Sequence, residues 1–213
     1  MCRLLAAKAQ TPFAVAPHLR GLVEVARHSK EYQGHGWGCA VLDDRNQWVV
    51  HTNIKPIWED DLDRFGETRL LIAHARSAFR NEGIAVENNM PFCDDRYAFA
   101  FNGELRGVRI RQEGRIGAEK IFNFIKRFNR GDLAAAVKRA TEIIRKRTEF
   151  IRAMNIVIAD RHSVCISSLF NDDPDYFTMH RRSMVGGFVI CSQPFGATED
   201  WRPIENDSIQ VLT

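Results

Sequence analysis

Short apolar or alternating runs recur along the chain, at Leu4 to Ala7, Trp37 to Leu42, Trp48 to Thr52, Leu70 to Ala75 and Tyr97 to Phe101 in the first half. They return at Asn155 to Ala159, Val164 to Leu169, Tyr176 to Met179, Phe188 to Cys191 and Ile209 to Leu212. Turn residues bound each run, and stretches of this length and period predict strands. Helical spacing takes over in two places. Leu19, Leu22, Val23 and Ala26 follow Thr11-Pro12, with Thr11 the expected N-cap and Pro12 suited to the first helical position. From Gly117 to about Phe150 a second region carries Ile121, Phe122, Phe124, Ile125 and Phe128 at helical spacing, then breaks at Asn129-Arg130-Gly131-Asp132. Asp132 is expected to cap the next helix, whose apolar face holds Ala136, Val137, Ala140, Ile143 and Ile144. Strands, two central helices and strands again predict an α+β fold with two sheets enclosed by helices. Consecutive strands with no helix between them argue against a doubly wound parallel sheet.

Composition narrows the class without naming a chemistry. The 213 residues are 45% apolar and 27% charged, which excludes a disordered or low-complexity chain and suits one domain spanning residues 1–213. No run approaches the roughly 18 to 20 apolar residues needed to span a bilayer, and the N-terminus lacks a signal-peptide core, so a cytoplasmic protein is expected. The five cysteines are widely spaced with no CxxC pair, which signals neither a disulfide framework nor a zinc site. Cys39, Cys165 and Cys191 lie in apolar runs and read as core residues. A net charge of +3 is too small to imply nucleic acid. The only basic run, from Lys126 to Arg147, has no interleaved aromatic residues, so it reads as a solvated helix face or a docking surface for an acidic partner.

Candidate chemistry begins at Cys2. Removal of Met1 would put a thiol and a free α-amine on one residue, and an amine titrating near pKa ~7.7 to 8.0 can take the thiol proton. Retention of Met1 would turn that amine into an amide and remove the base. Attack on a carboxamide also needs donors for the oxyanion and a grip on the substrate. Asn102-Gly103, closing the apolar strand Phe99 to Phe101, offers a side-chain amide beside an unobstructed backbone N–H. Arg76, closing the strand Leu71 to Ala75, offers a planar fork for a carboxylate. His74 shares a strand face with Ile72 and Arg76 and is expected to be a hydrogen-bonded structural residue.

Taken in order, Cys2, HGWGCAVL (His35 to Leu42), IAHARSA (Ile72 to Ala78) and AFNGELRG (Ala100 to Gly107) resemble the class II glutamine amidotransferases, which are N-terminal-nucleophile (Ntn) hydrolases. The resemblance continues through NNMPF (Asn88 to Phe92), CSQP (Cys191 to Pro194) and Trp201-Arg202-Pro203, and is nearest to the compact single-domain members. It implies a four-layer αββα sandwich. It also implies that Cys2 attacks a γ-carboxamide with its own α-amine as base, that Asn102 and Gly103 form the oxyanion hole, and that Arg76 with Ser77 binds the substrate. A γ-glutamyl amide would pass through a thioester, releasing ammonia or an amine and then glutamate, with no metal or organic cofactor. Any ammonia-accepting synthase is expected to be a separate chain, and neither a membrane nor nucleic acid is an expected partner.

The sequence departs from the family pattern at three places. Gly117 stands where an Asp usually holds the substrate ammonium, Met90 where Asn-x-His-Pro has its His, and Phe79 where a Thr follows Arg-x-Ala. Loss of a charge-assisted hydrogen bond costs about 1.5 to 3 kcal/mol, which argues against free glutamine as substrate. Glu82, Glu87, Asp94, Asp95 and Glu104 are the acidic residues available to replace the lost group. An alternative expectation follows from Gly117 and Met1: a catalytically retired relative that binds a ligand or regulates a partner enzyme.

Overall fold

Alternation along Arg3–Ala14 (β1) sends Leu5 and Ala7 to one side and Leu4 and Ala6 to the other, and every one of them is buried. A strand buried on both faces must lie between layers. The computed structural model describes residues 1–196 and 200–213. In the first half, β1 is followed by helix Val15–Arg27 (α1) and strands Trp37–Leu42 (β2), Trp48–Asn53 (β3), Glu67–Ala75 (β4), Phe92–Cys93 (β5) and Ala98–Arg106 (β6). Helices Gly117–Phe128 (α2) and Leu133–Lys146 (α3) come next, then strands Phe150–Ala159 (β7) and Val164–Ser168 (β8) and the short helix Pro174–Phe177 (α4). Strands His180–Met184 (β9), Gly187–Cys191 (β10), Arg202–Pro203 (β11) and Ser208–Leu212 (β12) complete the order.

The strands form a seven-stranded sheet in the order β11-β9-β10-β1-β4-β2-β3 and a five-stranded sheet in the order β12-β8-β7-β6-β5. Every ladder between them is antiparallel. Three apolar layers separate four structural ones. Leu5, Ala7, Leu71 and Ala73 pack against Leu19 and Leu22 of α1 on the outside of the large sheet. Leu4, Ala6, Leu70 and Ile72 meet Ala98, Ala100 and Val157 between the sheets. Phe99, Phe101 and Ile156 pack against Ile121, Phe122 and Ile125 of α2 on the far side. This is the αββα sandwich anticipated above.

Local details correct the expected boundaries. Thr11 and Pro12 continue β1, and α1 begins at Val15 behind Ala14, which makes no side-chain cap bond. Pro12 is accepted there because it falls in the irregularity between Lys8 and Phe13, where neither β4 nor β10 pairs with it and its missing N–H is not needed. Tyr176 and Phe177, expected in a strand, belong to α4, where Pro174 occupies the first turn. Their burial rather than their period produced the apolar run. The helical pair behaves as expected up to its end: Asp132 caps α3 by accepting from Ala135 N at 3.0 Å, but α3 stops at Lys146 and Phe150 already starts β7. No helix among the described residues is long and apolar enough to cross a membrane.

Candidate active site

Antiparallel register brings the separated motifs to one end of the sandwich. Leu4 pairs with His74 and Arg3 with Ala75, so continuing the ladder sets Cys2 opposite Arg76. On the other side of β4, Arg76 N donates to Gly36 O at 2.9 Å and His35 N donates to Arg76 O at 3.1 Å. By strand alternation Cys2, Arg76 and Asn102 share the faces that carry Leu4, Ile72 and Ala100, and those faces look into the gap between the sheets. The short loops and strand ends around them leave a cavity of about 580 Å³ lined by Cys2, Arg76, Ser77 and Gly103, among others. Asn102 lies one residue before Gly103, buried, with neither side-chain amide atom hydrogen-bonded.

The thiol is held by backbone. Ser77 N donates to Cys2 Sγ at 3.5 Å, and Sγ donates to Ser77 O at 3.6 Å. Ser77 thus reaches the thiol through its main chain. Burial pushes the Cys2 thiol up, opposed by the positive chain terminus, the Ser77 N–H and Arg76. A buried, neutral thiol needs a base to become a nucleophile. His35 is no substitute for one: its Nδ1 accepts from Ala78 N at 2.9 Å, which makes it a brace for the corner after β4. Burial, then Arg76, then the chain terminus lower the pKa of His35.

Arg76 is oriented by the loop that follows it. Its Nη2 donates to Gly83 O at 2.7 Å, and Nη1 donates to Asn89 Oδ1 at 3.4 Å and Ala85 O at 3.5 Å. These bonds leave N–H groups on Nε and Nη2 for a ligand in the cavity. Gly103 is required by close approach, because a Cβ there would lie 2.1 Å from Ala153 O on β7. His74 is fully buried between the sheets, as a structural residue would be. Burial, reinforced by Arg76, pushes its pKa down to about 3, so the ring is neutral.

Several residues that serve the site carried no motif. The Met1 ammonium pairs with Glu31, whose other oxygen meets Arg152 at 3.1 Å. Met1 O accepts from Gln33 Nε2 at 2.7 Å and from Tyr176 Oη at 2.5 Å. Arg3 donates to Tyr176 O and to Ser29 Oγ, each at 3.0 Å, and lies 3.7 Å from the Tyr176 ring centroid. These contacts hold the chain at Met1 and Arg3, on either side of Cys2. Their sequence signal was weak, since Glu31 and Gln33 lie in a polar connector and Tyr176 resembled a strand residue.

The three departures from the family pattern converge: Phe79, Met90 and Gly117 all line the cavity. Gly117 opens α2, and a Cβ added to it would meet nothing within 4 Å. Of the other acidic candidates, Glu82 and Glu104 line the same cavity, Glu87 does not, and Asp94 is paired with Lys126 at 2.9 Å. Asp95 also lies outside the lining. Among the described residues no group of His, Cys, Asp and Glu is arranged to hold a metal ion.

The same architecture recurs in solved structures. A glutamine aminotransferase class-II domain protein from Silicibacter pomeroyi matches 99% of this chain and 94% of its own at a TM-score of 0.67 and 17% identity. A predicted glutamine amidotransferase from Pseudomonas aeruginosa matches 99% of this chain and 97% of its own, with a TM-score of 0.59 and 17% identity. The glutamine phosphoribosylpyrophosphate amidotransferase of B. subtilis matches 90% of this chain over 42% of its own, with a TM-score of 0.65 and 17% identity. No protein-family model and no curated protein matches the sequence. The fold is that of the class II glutamine amidotransferase domains.

Proposed function

We propose that the protein is a cysteine amidohydrolase that cleaves a γ-glutamyl-type amide. The observation that carries this reading is the meeting, in and behind one cavity, of the Cys2 thiol, the oriented Arg76 guanidinium and the unpartnered buried amide of Asn102. In the form beginning at Cys2, its α-amine takes the thiol proton and Sγ attacks the amide carbonyl carbon. The Asn102 side-chain N–H and the Gly103 backbone N–H hold the oxyanion, a contribution worth about 2.7 to 4 kcal/mol per donor in comparable sites. Arg76 holds a substrate carboxylate. Collapse breaks the C–N bond, the protonated amine carries the proton to the departing ammonia or amine, and a thioester remains on Cys2. Water then attacks the thioester and frees the acid. Residues 1–213 act in this reading as one catalytic domain.

The test is a screen of γ-glutamyl amides for glutamate release, with the wild type beside Cys2→Ala. Release that disappears in a folded Cys2→Ala variant is expected; release that persists would sink the proposal. A second reading is favoured by one observation, the grip on Met1 by Glu31, Gln33 and Tyr176. With Met1 in place the Cys2 nitrogen is a peptide nitrogen, and the domain would bind a ligand or regulate a partner without turnover. Intact mass separates the two: loss of Met1 supports catalysis, and full retention supports binding.

A further inference from the structure

The cavity beside Cys2 is larger and more apolar than a single amino acid needs. At about 580 Å³ it falls within the roughly 300 to 1,000 Å³ typical of sites for much larger ligands. Its apolar lining comes from Leu105 of β6, Val108, Ile110 and Ile116 of the segment that follows, Ile121 of α2, and Phe79 from the segment after Arg76. Phe79 and Val108 stand 48% and 36% exposed, so apolar surface is left open at the mouth. Such surface is stabilised when a ligand's apolar part covers it.

The charged groups in the lining point the same way. Besides Arg76, and the Met1 ammonium where Met1 is retained, they are Glu82, Glu104 and Lys120. Glu104 is already compensated, since its Oε1 accepts from Arg106 Nε at 2.6 Å and its Oε2 lies 3.9 Å from Arg152. Glu82 lies at the exposed loop, not in the apolar wall. The first turn of α2 opens on the cavity at Gly117, and its only acidic residue, Glu119, is tied to Arg115. A helix N-terminus without a free carboxylate is a poor place for an ammonium.

We propose that this cavity takes amides whose acyl part carries, beyond the carboxylate held at Arg76, an uncharged apolar substituent of several carbons in place of a free ammonium. An Nα-acylated glutamine has that chemistry. The carboxylate meets Arg76, the γ-amide meets Cys2, and the acyl chain lies along Ile116, Ile121 and Val108. This rests on the amidohydrolase reading and names its substrate class.

The experiment measures ammonia release from glutamine and from Nα-acetyl-, Nα-hexanoyl- and Nα-octanoylglutamine, together with calorimetric binding of the same compounds to Cys2→Ala. Each buried methylene is expected to raise kcat/KM about fourfold until the wall is covered. Gly117→Asp, which has open space around its side chain, is expected to lower the octanoyl-to-glutamine ratio at least tenfold. Glutamine cleaved or bound as well as the octanoyl compound would overturn the proposal. So would a glutamine preference that disappears in Glu82→Gln, which would assign the ammonium contact to Glu82. Tighter binding of longer acyl chains without cleavage of any compound would uphold the substrate class while removing the amidohydrolase reading.

Discussion

Gly103 carries two demands at one position, since its backbone N–H is the proposed oxyanion donor and its missing Cβ lets β7 approach. In Gly103→Ala the new methyl would sit 2.1 Å from Ala153 O, so strand β7 must move. Overpacking of this kind costs roughly 1 to 3 kcal/mol. Urea denaturation of Gly103→Ala should show that loss and an accompanying fall in amide cleavage, whereas Gly117→Ala, in open space, should keep its midpoint. An unchanged midpoint in Gly103→Ala would show that the approach of β7 imposes no constraint. Sequence alone favours a turn for an isolated Asn-Gly, whereas in the fold Asn102 and Gly103 stay in strand β6, paired with Asn155 and Met154 some fifty positions away that no local pattern connects to them. Cys39, Cys165 and Cys191 were simpler to read, because apolar neighbours alone place them in the core, where all three are buried.

Strand β4 shows what happens when an element carries both core and site. Its inter-sheet face runs Leu70, Ile72 and His74 and leads to Arg76 just past its end, passing from apolar packing to the cavity within a few residues. His74 is neutral in the fold at a pKa of about 3 but binds a proton near pH 6.5 when unfolded. The unfolded chain therefore holds the extra proton between those values, and stability falls as pH drops from about 6.5 towards 3. The slope is up to about 1.4 kcal/mol per pH unit for this residue. His18, His35 and His180 are shifted downward as well, each first by burial, so they act in the same direction. Urea midpoints at pH 7 and pH 5 should differ clearly in the wild type and less in His74→Gln; parallel behaviour of the two proteins would contradict this account of β4. Period and composition made β4 and its buried face legible. They could not show that α4 is helical, because Tyr176 and Phe177 are buried in a four-residue turn too short to display a helical period.

At the scale of the molecule, the site exists because two sheets pack face to face and the strands end together. Cys2 leaves β1, Arg76 leaves β4, and Asn102-Gly103 lies on β6 of the opposite sheet, so their meeting depends on long-range pairing that sequence periodicity does not specify. The layer arrangement was readable from strands flanking a helical pair, and the motif order supplied the remainder. The clamp formed by Glu31, Gln33, Arg152 and Tyr176 was not readable, since its members come from three separate regions and gain meaning only around the chain start. That clamp bears directly on the proposed catalysis, in which the Cys2 amine acts as a base only after Met1 is gone. Mass spectrometry of the intact protein, quenched in acid during turnover of a γ-glutamyl amide, addresses the whole sequence of events at once. The account predicts a chain lacking Met1, a fraction of which carries one acyl group mapped to Cys2. Turnover by a chain that retains Met1, or an acyl group mapped to any other residue, would contradict it.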